Sequence, residues 1–176
     1  GSTGNLTFTA NWSANEYAVT VDLNGGECDT TSYTFIFDSA YSITKPTRVG
    51  YVFDKFTYND SYVLSSSGTW SIANDIEIKA NWIANSDTKY IVNHYTEDLD
   101  GGGYTKVDTY NLTGYSDSII TVNANTYEGF TAQKTSQEIT IAADGTTVID
   151  FYYTRNSYTI SFVTNGGSSI DSETYK

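Results

Sequence analysis

The chain has 176 residues, and its 21 acidic and nine basic side chains give a formal net charge of −12 at pH 7. This acidic excess argues against nucleic acid and anionic membrane surfaces as partners, because both require a basic face on the protein. One cysteine and one histidine exclude an internal disulfide bond and any zinc site built from several of these residues.

Residues 1–12 open the chain with a predicted strand. Leu6, Phe8 and Trp12 alternate with polar residues, and this period of two is typical of a half-buried strand. Because the strand stands at the start of the chain without a body of its own, we interpret residues 1–12 as the last strand of a preceding repeat.

The end of this strand recurs along the chain at a spacing of about 70 residues, which indicates an internal repeat. The tripeptide Ala-Asn-Trp ends at Trp12 and again at Trp82, and a weaker copy of the strand ends at Tyr153. Each copy is followed by a polar stretch and a strand that opens with tyrosine, at Tyr17, Tyr90 and Tyr158. A second landmark, a glycine followed by an aromatic residue, lies at 50–51 and at 129–130.

The repeats divide the rest of the chain into three segments. A complete unit is predicted over residues 13–83, a diverged second unit over 86–154, and the opening strand of a truncated third repeat over 158–176. The polar linkers between the units are short, so adjacent units are expected to be only partly free to reorient.

Both units are predicted to be mainly β, and α+β at most. Thr, Tyr, Val, Ile and Phe dominate the sequence, turn signals are dense, and no long window shows a helical apolar period. Short helical turns are predicted only at residues 39–44 and 116–122.

The first unit resembles the Listeria–Bacteroides repeat, also called the internalin B-repeat. Three stretches carry the resemblance in order: a tyrosine-led strand into Asn-Gly-Gly at 17–26, Pro-Thr-Arg-Val-Gly-Tyr-Val-Phe at 46–53, and an alternating strand ending in Trp at 76–82. One departure is Lys55-Phe56, where the family usually has Gly-Trp.

The second unit resembles the mucin-binding-protein-like repeats of Gram-positive surface proteins. The matching stretches lie at 92–95, 98–102, 127–130 and 151–153. Both resemblances imply tandem small β-grasp-like (ubiquitin-like) modules with little helix, in an extracellular, wall-anchored parent protein at the bacterial cell surface.

These resemblances imply a non-catalytic spacer or stalk that projects a distal domain of an adhesin from the cell wall. The implied partners are neighbouring repeats of the same parent protein, without nucleic acid and without direct membrane insertion. The alternative is an adhesive module that binds host glycan or protein through exposed aromatic residues or a sheet edge.

Aromatic side chains are the best candidates for a glycan-binding platform. Trp12, Trp82 and Tyr153 share one position of the repeat, which predicts that they close the core of each module. Three aromatic residues are not repeated and are the candidates for stacking on sugar rings, although cross-strand packing is the commoner role of such tyrosines: Tyr58, Tyr62 and Trp70.

Four further features have structural interpretations. Residues 97–103 begin like a calcium loop but lack its later ligands, so a hairpin turn is predicted there. His94 has no neighbouring nucleophile and is predicted to be a hydrogen-bonded structural residue. Cys28 is predicted to be an exposed, unpaired thiol. Lys55, between two phenylalanines, is the candidate for a lysine–asparagine isopeptide bond of the kind that some surface proteins carry.

No nucleophile–base pair, metal cluster or phosphate loop is found, so neither catalysis nor a cofactor is expected. The two ends of the chain are each expected to expose an apolar face, with Leu6, Phe8 and Trp12 at one end and Tyr158, Ile160 and Phe162 at the other. Such faces favour head-to-tail self-association of the chain through these ends, and the alternative is that each end packs on the flanking unit of its own chain.

Overall fold

A computed structural model describes residues 3–176, so the first two residues of the predicted segment 1–12 lie outside it. Over this range the secondary structure is β throughout and contains no helix, which confirms the mainly-β prediction. None of the described residues therefore forms a helix long and apolar enough to span a membrane. The strands are β1 (Glu16–Asp22), β2 (Ser32–Ile36), β3 (Ala40–Ser42), β4 (Tyr51–Tyr58), β5 (Tyr62–Leu64), β6 (Ser67–Thr69), β7 (Ile76–Ala84), β8 (Thr88–Glu97), β9 (Tyr104–Gly114), β10 (Ile119–Asn123), β11 (Phe130–Ala132), β12 (Ser136–Thr140), β13 (Thr147–Arg155), β14 (Tyr158–Ile160) and β15 (Glu173–Tyr175).

The chain divides into two compact units between Ile83 and Ala84. Unit 1 contains a five-stranded sheet in the order β2-β1-β7-β4-β5, and unit 2 a four-stranded sheet in the order β11-β13-β8-β9. In both sheets the first strand forms an antiparallel hairpin with the second, and the last long strand lies beside the first and parallel to it. This strand order is that of a β-grasp fold.

The predicted helical turns at 39–44 and 116–122 are wrong, because both segments contain strands. β3 pairs with β6, and β10 pairs with β12, so each unit carries a two-stranded ribbon where a β-grasp fold has its helix. The tyrosine and isoleucines in these segments favour an extended backbone. The partner strand of each ribbon satisfies the backbone hydrogen-bonding groups of the segment.

The two units repeat individual hydrogen bonds as well as strand order. Asp38 and Asp117 both have a positive φ, and the amide of each donates to the carbonyl of a residue just after the ribbon, Trp70 or Ile141. The glycine landmarks at 50 and 129 also have a positive φ, and each precedes the first residue of a strand. Only glycine adopts such a φ without strain, which explains why this residue recurs at both positions.

The core of unit 1 is built from the inward faces of β1, β4 and β7 together with the ribbon. Its buried apolar residues are Val19, Phe35, Tyr41, Ile43, Phe56, Trp70, Ile78 and Ala80. The Asn-Gly-Gly turn closes one end: Gly26 lies so close to the Trp82 indole that an added Cβ would come within 2.3 Å of ring carbon Cζ2. The third residue of that turn must therefore be glycine for a steric reason.

The core of unit 2 is smaller and lies against the inward faces of β8 and β13. Its cluster of buried apolar residues is Val92, Ile149, Phe151 and Tyr153, and partly buried side chains from β10, β11 and β12 pack on it. Ile141, which follows β12, is completely buried nearby.

The strand predicted in residues 4–12 is absent from the structure. The described part of this segment forms no ladder, and Leu6, Phe8 and Trp12 are 78%, 90% and 93% exposed. Trp12 therefore closes no core, contrary to its predicted role. An amphipathic strand gains its stability from a sheet partner and a buried face, and this segment has neither.

At the other end of the chain, β14 and β15 form a hairpin around a second Asn-Gly-Gly turn. Tyr158, Ile160 and Phe162 stay about half exposed, as the sequence predicts. The ammonium of Lys176 lies 2.8 Å from the carboxylate of Glu97 in the same unit. Self-association through the two ends stays a prediction.

Candidate functional site

Trp70 cannot serve as a sugar-stacking platform, so this prediction is corrected. Its side chain is 1% exposed, and its ring packs within 5.0 to 5.3 Å of the rings of Phe35 and Tyr41. Its position is also repeated, since Ile141 makes the equivalent backbone bonds in unit 2. Comparison of the two repeats in the sequence does not reveal this equivalence, because tryptophan and isoleucine are different residue types at the two positions.

Tyr62 is accessible, whereas Tyr58 is partly buried and packs against the core of unit 1. Their rings stack at 5.4 Å between centroids across the β4–β5 hairpin, and Tyr62 is 61% exposed. Tyr58 also borders an open hollow of about 670 Å³ whose other walls are mostly polar and include Asp22, Glu77 and Lys79. The stacking of one ring on the other fits the cross-strand packing that the sequence favours.

The segment 97–103 is the turn of the β8–β9 hairpin, as predicted. The Asp98 amide donates to the Gly103 carbonyl, and the Asp98 carboxylate accepts a hydrogen bond from Thr105. Asp100 accepts a bond from the amide of Gly102 within the same turn. Residues 3–176 contain no group of three or more His, Cys, Asp or Glu side chains arranged to hold a metal ion.

Lys55 and Cys28 differ from their predicted settings. The Lys55 side chain is 45% exposed and pairs at 3.3 Å with Asp54, so it lacks the buried environment that isopeptide chemistry requires. Phe53 and Phe56 pack on each other and leave the lysine between them directed to solvent. The Cys28 thiol is partly buried, at 4.0 Å from the carbonyl oxygen of Thr44.

The repeated aromatic position is structural in both units. In unit 1 the Trp82 indole N–H donates to the Leu23 carbonyl at 3.1 Å, and the ring packs edge-on against Phe53. In unit 2 Tyr153 is 1% exposed, and its hydroxyl lies 2.7 Å from Nδ1 of His94.

His94 is hydrogen-bonded and buried, as predicted. Its ring stacks on Phe151 and meets Tyr110 and Tyr127 edge-on, while Tyr153 also accepts a bond from the amide of residue 125. Burial lowers the pKa of the imidazole, and the carboxylate of Asp108 acts in the opposite direction with a smaller effect. Burial and a hydrogen bond to Asp108 raise the pKa of Tyr127.

This environment predicts that unit 2 loses stability on mild acidification. The pKa of His94 is lower in the folded protein than in the unfolded chain. The contribution of the neutral imidazole to the free energy of unfolding is therefore fully present above the unfolded-state pKa of 6.5. That contribution falls as the pH drops through the folded-state pKa, by at most about 1.4 kcal/mol per pH unit. Urea unfolding between neutral pH and the onset of carboxylate titration measures this change in the free energy of unfolding.

His94→Gln is the control, because glutamine cannot be protonated. The free energy of unfolding of this variant should vary less over the same pH range. Equal pH dependence in both proteins would contradict the assignment.

A row of three tyrosines crosses the outer face of the unit 2 sheet, opposite the core. Tyr95 and Tyr152 stack at 5.0 Å between centroids, and Tyr104 meets Tyr152 edge-on at 5.1 Å. The Gln133 amide donates to the Tyr104 hydroxyl at 2.6 Å. Beside the row lies a hollow of about 260 Å³ lined by Gln133, Lys134, Asp150, Phe151 and Tyr152. Sequence reasoning missed this row because β8 and β13 carry aromatic residues on both faces, which hides their alternation.

A polar network adjoins the tyrosine row on the same face. Asn93 is 5% exposed, and its amide nitrogen donates to the Asp150 carboxylate at 2.8 Å. Its amide oxygen accepts from the Lys106 ammonium at 3.1 Å and from the Thr109 hydroxyl at 3.0 Å. The ammonium also lies 5.4 Å from the centre of the Tyr95 ring.

The equivalent face of the unit 1 sheet carries different side chains. The parallel ladders align Asp22 with Lys79 in unit 1 and Asn93 with Asp150 in unit 2. Asp22 and Lys79 form an exposed ion pair at 3.7 Å. The fold therefore does not require the tyrosine row or the amide-centred network of unit 2.

Comparisons with known proteins give distant structural similarity without a family match. Neither the known family models nor the curated proteins contain a match to this chain. Among solved structures the chain is similar to a crystal structure of Mub-RV at 13% sequence identity, with 82% of this chain and 100% of that chain covered and a TM-score of 0.24. The family resemblances therefore rest on the sequence motifs.

Proposed function

We propose that the two units are non-catalytic spacer modules of a bacterial cell-surface adhesin, extracellular and part of a wall-anchored parent protein. The parallel pairing of the first and last strands in each unit is the observation that carries the proposal. Val19 to Asp22 of β1 align with Ile76 to Lys79 of β7 in unit 1, and Tyr90 to Thr96 of β8 align with Thr147 to Tyr153 of β13 in unit 2.

This arrangement suits a module that transmits tension. Because the paired strands are parallel, the chain enters at one end of the sheet and leaves at the other. Tension then pulls the two strands past each other and loads the evenly spaced hydrogen bonds of the ladder together. Forced unfolding is governed by the barrier to unfolding, and simultaneous loading raises the force needed to cross it.

Single-molecule pulling on the ends of the full chain tests the proposal. Two separate unfolding events are expected, one for each unit. The unit 2 event should require the higher force, because its parallel ladder aligns seven residue pairs against four in unit 1. The variant Trp70→Ala identifies the unit 1 event, which alone should weaken. Extension of either unit without a force peak would contradict a spacer role under load.

A second candidate function is contact with host glycan, and the tyrosine row favours it. Aromatic rings beside amide and carboxylate groups can stack on a sugar and bond its hydroxyls, and unit 1 shows that the fold does not need these rings. A glycan array with the full chain tests this candidate. Binding that is lost in Tyr104→Ala but kept in Tyr62→Ala would support it, while an absence of binding would leave the spacer role alone.

A further inference from the structure

We propose that copies of this chain associate head to tail, with residues 6–12 of one copy added as a parallel strand to β14 of another. The added strand lies on the side of β14 opposite β15, and its Trp12 indole covers Gly167 in the second Asn-Gly-Gly turn. This inference gives the end-to-end contact that the sequence favours a partner strand, a direction and a register. It does not depend on the spacer role, since it follows from contacts inside unit 1 and from two exposed segments.

Unit 1 contains the contact that the association would reproduce. There β1 lies between its antiparallel neighbour β2 and its parallel neighbour β7, and β7 passes beside the Asn-Gly-Gly turn that follows β1. The Trp82 indole N–H donates to the Leu23 carbonyl, and the indole ring lies against Gly26. The Asn24 side-chain amide donates to the Ala80 carbonyl at 3.1 Å. The turn is therefore the docking site for the end of the last strand.

The hairpin of β14 and β15 has the same turn, and its docking site is open. Asn165 and Gly166 have positive φ values of 44° and 97°, and the Gly167 amide donates to the Thr164 carbonyl at 2.9 Å, as in the first turn. Within residues 3–176, however, β14 pairs with β15 alone. Apart from chain neighbours, only Thr164 has described atoms within 4 Å of a Cβ built on Gly167. The space that an indole fills beside Gly26 is therefore unfilled beside Gly167.

Residues 6–12 have the sequence and the exposure of the strand that would fill this space. They are the repeat copy of residues 76–82 and end in the same Ala-Asn-Trp. Leu6, Phe8 and Trp12 are between 78% and 93% exposed, and the described part of this segment joins no ladder. Pairing with β14 would give the segment a sheet partner and bury its apolar face, which are the two conditions that an amphipathic strand needs.

The register of the added strand follows from unit 1. Val19 of β1 aligns with Ile76 of β7. The repeats equate Val19 with residue 160 and Ile76 with residue 6, since the two Asn-Gly-Gly turns and the two Ala-Asn-Trp tripeptides coincide at the same offsets. The aligned pairs between copies are then Leu6 with Ile160, Thr7 with Ser161, and Phe8 with Phe162.

Neither segment carries the features that normally prevent such pairing. Residues 4–12 and 158–167 contain no charged side chain and no proline, although the whole chain has a net charge of −12. Charged side chains and proline are the usual protection of an exposed strand edge. Contact through these two segments therefore brings no like charges together, even between two acidic copies.

A second copy is the partner that continues the path of the chain. In each unit the first and last strands are parallel, so the chain enters at one end of the sheet and leaves at the other. The same pairing between copies carries this path from one copy to the next. The contact joins two different surfaces, so it propagates into chains of copies.

Cross-linking of single-cysteine variants tests the register. In a Cys28→Ser background, one protein carries Thr7→Cys and a second carries Ser161→Cys, so a disulfide bond between them must join two copies. Aligned residues on neighbouring strands lie within disulfide range, whereas Thr9→Cys would be two residues out of register with Ser161→Cys, with Cα atoms about 8 Å apart. The aligned pair should form the mixed dimer at least about tenfold faster than the shifted pair. Equal rates for the two pairs would overturn the proposed register.

Sedimentation equilibrium of the full chain tests the docking of the indole. The average mass of wild type should rise with concentration beyond that of a dimer. Gly167→Ala and Trp12→Ala should each weaken the association by about tenfold or more, because the first places a methyl group where the ring docks and the second removes the ring. Both residues are exposed, so the thermal unfolding of the two units should not change. Ser168→Ala is the matched control and should associate like wild type.

Three results would overturn the proposal. The first is a wild-type chain that stays monomeric at high concentration. The second is association that neither Gly167→Ala nor Trp12→Ala weakens. The third is protection of the Trp12 indole from solvent in a monomer at any dilution, which would mean that the segment docks within its own chain.

Discussion

Replacing Trp70 with alanine is expected to unfold much of unit 1 at moderate temperature. The indole is 1% exposed and packs among the rings of Phe35 and Tyr41, so its removal leaves a cavity at the junction of the sheet and the ribbon. Truncation of a buried tryptophan costs about 3–5 kcal/mol. Chemical denaturation of the full chain, followed by unit-specific fluorescence or hydrogen exchange, should show the loss in unit 1 and not in unit 2.

Two further variants separate burial from residue type. Trp12→Ala removes the same side chain from a position that is 93% exposed, so its free energy of unfolding should change by less than about 0.5 kcal/mol. Trp70→Phe should cost clearly less than Trp70→Ala, because the buried indole N–H of Trp70 has no hydrogen-bond partner to lose. Equal losses for Trp12→Ala and Trp70→Ala would contradict the assigned core.

Replacing Tyr153 with alanine is expected to destabilise unit 2 by a similar amount. The side chain is 1% exposed, packs against Tyr127, and places its hydroxyl beside His94. Its loss removes a large core ring and leaves the buried imidazole without this partner, at a cost of about 3–5 kcal/mol. Thermal unfolding followed by circular dichroism measures the change.

The neighbouring residue supplies a matched control. Tyr152 lies next along β13 but faces outward and is 37% exposed. Tyr152→Ala removes contacts with the rings of Tyr95 and Tyr104, and cross-strand pairs of this kind contribute about 0.2–1 kcal/mol. If Tyr152→Ala were the more damaging change, the two faces of the sheet would be assigned the wrong way round.

The repeat pattern made the β architecture predictable, because its signals are local. Glycine is required at 50 and 129 because the backbone there has a positive φ just before a strand. Glycine is required as the third residue of the first Asn-Gly-Gly turn because a Cβ atom would clash with the indole of Trp82. Such steric demands limit the residue type at one position, so they survive divergence between the units and can be read from a single sequence.

Features that depend on tertiary contact were not predictable in the same way. The segments at 39–44 and 116–122 become strands because ribbon partners distant in the sequence pair with them. The strand predicted in residues 4–12 fails for the converse reason, since no partner is present. The equivalence of Trp70 and Ile141 lies in backbone hydrogen bonds, which place no constraint on the side chain beyond its being apolar.

The setting of Lys55 shows the same limit. Its sequence neighbours are apolar, but Asp54 and Lys55 are both exposed where the inward–outward alternation of β4 is interrupted, and their side chains pair there. Which side chains a strand directs to solvent therefore depends on the packing of the sheet and not on the neighbouring residues in the sequence alone.

The most direct measurement compares two pulling directions on unit 2 within the full chain. One direction applies force through the chain ends and shears the β8–β13 ladder. The other applies force through Lys89→Cys and Thr113→Cys in a Cys28→Ser background. These register partners stand at the open end of the β8–β9 hairpin, so this direction breaks the hairpin bonds one pair at a time. Both side chains are exposed, whereas a Cβ at the adjacent Gly114 would clash with Ile141.

A spacer built around the parallel ladder should resist the first direction at a clearly higher force than the second, although the folding stability of the protein is the same in both. Equal unfolding forces in the two directions would show that the parallel pairing of first and last strands does not carry the load, and would contradict the proposed function.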